Sequence, residues 1–119
     1  LNPKSDLYCA TSADGTSWST PAKFSTDAGN VVHLFPMMYA LQDHSWQLLW
    51  QSTRSGSPQA FETPVANLGQ YPAGVVANAS LPPGYSHRIA PTPVAGTYIG
   101  VWVQGPDGSQ DIYYRIFER

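Results

Sequence analysis

Two histidines, His33 and His87, lie about 50 residues apart, and each stands near the start of a strand-like run. An imidazole changes charge near neutral pH, so it can act as a general acid or base or bind a metal. The sequence has no metal-ligand spacing such as His-x-x-x-His, and we predict no metal site. The pair indicates either acid–base chemistry at one ligand site or a packing role that recurs because the sequence repeats.

Tryptophan and arginine side chains supply groups that suit a sugar ligand. Trp50 and Trp102 recur with the same interval as the histidines, which favours a role in the core. Trp46 lies beside the turn Gln42–His44 and is freer to stack on a sugar face. Arg54 follows the strand that contains Trp50, and its rigid fork of donors matches a carboxylate.

The composition excludes several classes of partner. Only 12% of the 119 residues are charged and the net charge is −2, so the chain lacks the basic face that nucleic acids require. No apolar run of about 18 residues is present, so we expect no membrane span. We also expect no cofactor, and the single cysteine, Cys9, excludes an internal disulfide.

The elements that must position these side chains are short strands. No segment keeps a helical apolar pattern over three turns, and 11 prolines interrupt the chain. Strand-like runs such as Gln47–Gln51 and Ile99–Gln104 recur instead at an interval of about 50 residues, which is typical of propeller blades. We therefore predict an all-β fold, a partial β-propeller of about two to two and a half four-stranded antiparallel blades.

The repeat divides the chain into three units: residues 1–30 end one blade, 31–84 form a complete blade, and 85–119 supply three strands of the last. Two to two and a half blades cannot close a ring. We therefore expect an upstream chain or further copies to complete it. A compact β-sandwich is the alternative fold. The predicted strands are Asp6–Thr11, Ala22–Ser25, Leu34–Leu41, Trp46–Thr53, Gln59–Val65, Gly74–Ala77, Ile89–Val94, Tyr98–Gln104 and Asp111–Phe117.

The segment Ser12–Trp18 carries a turn pattern. Asp14 can accept bonds from amides just ahead of it, and Gly15 takes positive φ freely, so the pair predicts a tight hairpin. Trp18 is expected to fold back over the turn and seal the end of a core. Ser, Asp, Gly and Trp in this order resemble the Asp-box of sialidase-like β-propellers, where the turn joins the two outer strands of a blade. We assign Asp14 a structural role.

The C-terminal third resembles the closing part of sialidase catalytic domains in three stretches, Gly84–Ser86, Gly96–Trp102 and Asp111–Phe117. That resemblance implies that Tyr85 is the nucleophile, activated by a glutamate, while arginines hold the substrate carboxylate. The predicted site then has catalytic residues Tyr85 and His87, with substrate-binding residues Arg54, Arg88, His33 and Trp46.

The functional interpretation is the C-terminal part of a carbohydrate-active β-propeller, foremost a sialidase-like glycoside hydrolase with a carbohydrate ligand. The alternatives are a non-catalytic propeller that binds glycans or proteins, a propeller polysaccharide lyase that uses His and Tyr, and a structural module whose copies form a ring. We expect a secreted or periplasmic location.

Overall fold

A computed structural model describes residues 4–66, 76–78 and 80–119, and in it the protein is all-β, as predicted. Strands account for 49% of the described residues, which contain no α-helix. The strands are β1 (Tyr8–Cys9), β2 (Ala22–Lys23), β3 (His33–Ala40), β4 (Trp46–Ser52), β5 (Gln59–Pro64), β6 (Val76–Ala77), β7 (Tyr85–Pro91), β8 (Thr97–Gln104) and β9 (Asp111–Glu118).

The strands form three antiparallel sheets in which each strand pairs with the next along the chain. Sheet 1 contains β1 and β2, sheet 2 contains β3 to β6, and sheet 3 contains β7 to β9. None of the three closes on itself within the described residues. Short connections link β3 to β4, β4 to β5, β7 to β8 and β8 to β9, as is usual between antiparallel neighbours.

Each face of sheet 2 packs against a different neighbour, because successive side chains of a strand point to opposite faces. Face A carries Tyr39, Leu49, Gln51, Ala60 and Glu62, and face B carries Trp50 and Phe61, as the register of β3 to β5 fixes. Face B packs on Leu7 and Phe24 of sheet 1. Face A packs on sheet 3 through a buried cluster that includes Leu81, Ile89, Tyr98 and Trp102.

The connection between β1 and β2 is longer than the predicted tight hairpin, since residues 10–21 lie between them. The Asp14 turn lies inside this connection, where Asp14 Oδ1 accepts bonds of 2.8 Å from the amides of Thr16 and Ser17. The prediction for Trp18 is wrong: its side chain is 63% exposed. Trp18 lies in the connection between the two short strands and borders a cavity that Leu7 and Phe24 also line.

The first strand of sheet 3 begins earlier than the predicted Ile89, at Tyr85. The sequence argument left out the polar pair His87-Arg88, but an irregularity in the strand accommodates both residues. The last strand of sheet 2 is the short β6, and the start of the predicted strand at Gly74 lies outside the described residues.

Candidate functional site

Sheets 2 and 3 carry the same β-bulge near the start of their first strand. In β3 two residues, Phe35 and Pro36, stand opposite the single residue Trp50. In β7 two residues, Ser86 and His87, stand opposite Trp102 in the same way. Phe35 has a φ of 53° and Ser86 a φ of 54°, a left-handed conformation that is uncommon for residues other than glycine. Such bulges re-aim side chains and occur often beside functional sites.

Both bulges lie at the same end of the molecule, which we call the bulged end. The amide of Gly84 donates to the carbonyl of Pro58 (3.2 Å), and the amide of Ser86 donates to Oε1 of Gln51 (3.1 Å). These bonds hold the start of β7 against the turn that follows β4. Phe35 and Tyr85 are exposed there, with 42% and 41% of their surface accessible.

A polar cluster of His33, Asp27 and Arg54 lies at the bulged end beside β3. Nε2 of His33 is 3.0 Å from Oδ2 of Asp27, and Nη2 of Arg54 is 3.4 Å from Oδ1 of the same carboxylate. Burial lowers the pKa of His33, although the Asp27 charge opposes this. Arg54 also lies over the ring of Phe61, 5.5 Å from its centre. Asp27 therefore partly neutralises Arg54 and fixes its direction.

His87 is part of the packed interior rather than of the exposed surface. Its ring is 2% exposed, and Nε2 donates to the carbonyl of Pro82 at 2.9 Å, while Nδ1 has no hydrogen-bond partner among the described residues. Burial lowers its pKa, so the ring is neutral near pH 7. Arg88 is exposed, and its guanidinium donates to the carbonyl of His87 at 2.8 Å.

His33 and His87 lie near the starts of β3 and β7, the first strands of sheets 2 and 3, but they do not occupy equivalent positions within those strands. The bulges align Tyr85 with Leu34, so His87 corresponds to Pro36 and not to His33. The histidines are 54 residues apart, whereas equivalent residues of β3 and β7, such as Leu34 and Tyr85, are 51 residues apart. Both imidazoles nevertheless tie the loop before their strand to the strand itself.

Trp46 is separated from the other predicted site residues. It begins β4 beside the turn that follows β3, whereas His33 pairs with Ser52 at the other end of the same sheet. Seven residues of strand separate the two ends of β4, a distance of about 20 Å at about 3.3 Å per residue. Trp46 is exposed, as predicted, but it lies at the end opposite to Tyr85, so one small ligand cannot contact both.

A buried carboxylate cluster was missed by the sequence argument. Oε2 of Glu62 accepts bonds from the hydroxyl of Tyr39 (2.9 Å) and the amide of Asn78 (3.1 Å). Oε1 of Glu62 forms an ion pair with Arg119. Burial, together with the Glu62 charge, raises the pKa of Tyr39. The sequence feature that could have identified Glu62 is the alternation of side chains along β5, which places it on the same face as the buried Ala60.

These contacts limit the chemistry of the site. Both oxygens of Glu62 are engaged, so it does not serve as the activating partner of Tyr85. No group of three or more metal-ligating side chains converges in the part of the chain that the structure describes. The accessible groups at the bulged end include the rings of Phe35 and Tyr85 and the guanidinium groups of Arg54 and Arg88. This set is suited to binding a polar ligand with apolar faces.

In comparisons with known proteins, no family model, no curated protein and no solved structure matches this chain. Across the described ranges, no helix has the length and apolar character needed to span a membrane.

Proposed function

We propose that this chain is the C-terminal part of a carbohydrate-active β-propeller and that its bulged end binds a glycan. Three features support the propeller: successive antiparallel sheets, a four-stranded sheet 2, and tryptophans that recur at equivalent positions of sheets 2 and 3. The remaining blades would come from another part of the polypeptide or from further copies. The proposed location is secreted or periplasmic.

The single observation that carries glycan binding is the repeated bulge. Phe35 lies in one bulge and Tyr85 directly precedes the other, so both exposed rings lie at the same end of the contacting strands β3 and β7. Aromatic rings pack on the apolar faces of sugars, while guanidinium groups donate hydrogen bonds to hydroxyl or carboxylate oxygens. Arg54 and Arg88 supply such donors at the same end, and Asp27 supplies an acceptor.

A second candidate function is glycoside hydrolysis of the sialidase kind, with Tyr85 as nucleophile. The exposure of Tyr85 favours it, because a nucleophile must meet its substrate. Among the described residues, Glu62 is engaged elsewhere and Glu118 pairs with Thr97 at the opposite end of sheet 3 from Tyr85, so the activating glutamate would come from another part of the protein. A lyase that uses His33 or His87 is less favoured, because their rings are only 3% and 2% exposed.

Titration against immobilised sialosides and against plant and algal polysaccharides tests the binding proposal. Tyr85→Ala and Phe35→Ala should each weaken binding about tenfold, or ~1.4 kcal/mol, through loss of ring contacts. Trp46→Ala is the matched control: it removes an exposed aromatic side chain from the opposite end and should leave affinity unchanged. An unaltered titration for Tyr85→Ala, or an equal loss for Trp46→Ala, would refute the site.

Product release from the same glycans separates binding from hydrolysis. If Tyr85 is a nucleophile, Tyr85→Phe should retain the ring contact and the affinity but abolish turnover. Binding without any turnover by the unaltered protein would leave the glycan site standing and remove the hydrolase.

A further inference from the structure

The same pairing of sheet faces occurs twice in the chain. Face B of sheet 2 packs on sheet 1, with the rings of Trp50 and Phe24 5.6 Å apart in an edge contact. Sheet 3 presents its own face B, where Trp102 pairs with Tyr113 as Trp50 pairs with Phe61. This face packs on face A of sheet 2. In both interfaces the face with the tryptophan contacts the opposite face of the preceding sheet.

This order leaves one face open at each end of the row of sheets. Six residues of β8 and β9 lie on face A of sheet 3: Ile99, Val101, Val103, Ile112, Tyr114 and Ile116. The first strand, β7, adds Tyr85, Arg88 and Ala90 to the same face at its other edge. The three residues of β9 are 80%, 70% and 61% exposed, and none of the six carries a charge. At the other end of the row, Tyr8 alternates with the buried Leu7 and is 64% exposed on face B of sheet 1. Lys23 stands opposite Tyr8 on this face and forms an ion pair with Asp6 (2.8 Å).

Such a face is unusual on an isolated chain. The equivalent positions of sheet 2 are covered by sheet 3, and they include the polar residues Gln51 and Glu62. Sheet 3 has Val103 and Tyr114 at those two positions, so its face A is more apolar there, whereas Arg88 stands at the β7 position that corresponds to Met37 of sheet 2. Contiguous exposed apolar surface of this kind marks an interaction site.

We propose that face A of sheet 3 binds a second copy of this chain through face B of that copy's sheet 1. The proposal continues the face pairing that the chain uses twice internally. The other aromatic faces of a second copy are not available, because Trp50 and Trp102 are 1% and 7% exposed. The interface is head-to-tail, so copies form a ring if the rotation closes and a filament if it does not. The inference does not require glycan binding, but Tyr85 and Arg88 of the proposed glycan site lie at the β7 edge of the same face, so association is measured without glycan.

The mass of the protein in solution, measured by sedimentation over a range of concentrations, tests this interface. The unaltered chain should form species larger than a monomer. Tyr114→Lys on sheet 3 and Tyr8→Lys on sheet 1 should each remain monomeric, because a buried unpaired charge is unfavourable. Both positions are exposed in the single chain, so both variants should fold. Ile112→Lys replaces Tyr114→Lys if circular dichroism shows that the latter is unfolded.

A mixture of the two variants gives the sharpest result. Each variant keeps one intact half of the interface, so the mixture should form a dimer and nothing larger. Trp46→Lys, at an exposed aromatic position outside both faces, is the control and should associate like the unaltered protein. A monomeric unaltered chain at every concentration, or normal association of Tyr8→Lys, would overturn the proposal.

Discussion

The two interfaces between sheets are built differently. The interface between sheets 2 and 3 combines an apolar cluster with polar links: Glu62 to Arg119, and Gln42 to the hydroxyl of Tyr98 (2.9 Å). The buried apolar cluster between sheets 1 and 2 is smaller and consists of Leu7, Phe24, Trp50 and Phe61. A cavity of about 470 Å³ lies beside it, lined by residues of both sheets.

The tryptophans show the same contrast. Nε1 of Trp102 donates to Gln104 at 3.1 Å, whereas Nε1 of Trp50 is buried without a hydrogen-bond partner among the described residues. A buried donor left unsatisfied costs about 1–3 kcal/mol. Together with the cavity, this indicates that β3 to β9 form the stable unit. Sheet 1 packs on that unit through apolar contacts. The segments that flank sheet 1 add polar links: the hydroxyl of Ser5 donates to the carbonyl of His33 (2.7 Å), and Asp27 pairs with Arg54.

Removal of the buried carboxylate should have the largest effect on the stable unit. Glu62→Ala leaves Arg119 without its partner and should lower the free energy of unfolding by about 3–5 kcal/mol. Tyr39→Phe removes one neutral donor from the same carboxylate and should cost only about 1 kcal/mol. Urea denaturation measures both. Equal losses for the two variants would show that the ion pair does not stabilise the interface.

Truncation of one leucine in each interface compares their packing directly. Leu49→Ala, at a fully buried position between sheets 2 and 3, should cost about 2–5 kcal/mol. Leu7→Ala should cost less in the global transition, because Leu7 already borders the cavity beside sheet 1. The same urea experiment measures the pair, and a larger loss for Leu7→Ala would reverse the comparison.

Acid should destabilise the protein through its buried histidines. The pKa of His87 is below its ordinary value of 6.5 in the folded state because of burial. Its contribution to stability is therefore complete above about pH 6.5 and decreases as the pH falls below that value. For His33, Asp27 opposes the effect of burial, so its contribution should be smaller.

Denaturation curves between about pH 7 and pH 5 test this dependence. Carboxylates ordinarily titrate below this interval, so the change in stability within it reports on the histidines. His87→Gln should flatten the change in stability with pH more than His33→Gln does. An unchanged slope in His87→Gln would contradict the assignment of the acid sensitivity to the buried ring.

The smallest effect is expected in the connection between β1 and β2. Trp18→Ala should leave the unfolding midpoint nearly unchanged, because the side chain is mostly exposed. Calorimetry measures this, with Phe24→Ala, a buried position of sheet 1, as the contrasting variant. A large loss for Trp18→Ala would mean that this ring belongs to the packed part of sheet 1.

The sequence was sufficient for strand positions because they depend on local apolar patterns and turn residues. The all-β class was confirmed, and Trp50 and Trp102 are buried as predicted. The bulges were not predicted, since the pairing of Ser86-His87 opposite one tryptophan depends on register rather than on local preference. The Glu62–Arg119 pair was missed for a similar reason: it joins residues far apart in sequence, on different sheets.

Hydrogen exchange of the intact chain tests the central contrast most directly, because it reports the opening free energy of each sheet separately. The amides of Leu49 and Trp102, on the central strands of sheets 2 and 3, should exchange only with global unfolding. The amide of Phe24, which donates to Leu7 in sheet 1, should exchange at a lower opening free energy. Equal opening free energies for all three amides would contradict the account and make sheet 1 part of the same cooperative unit.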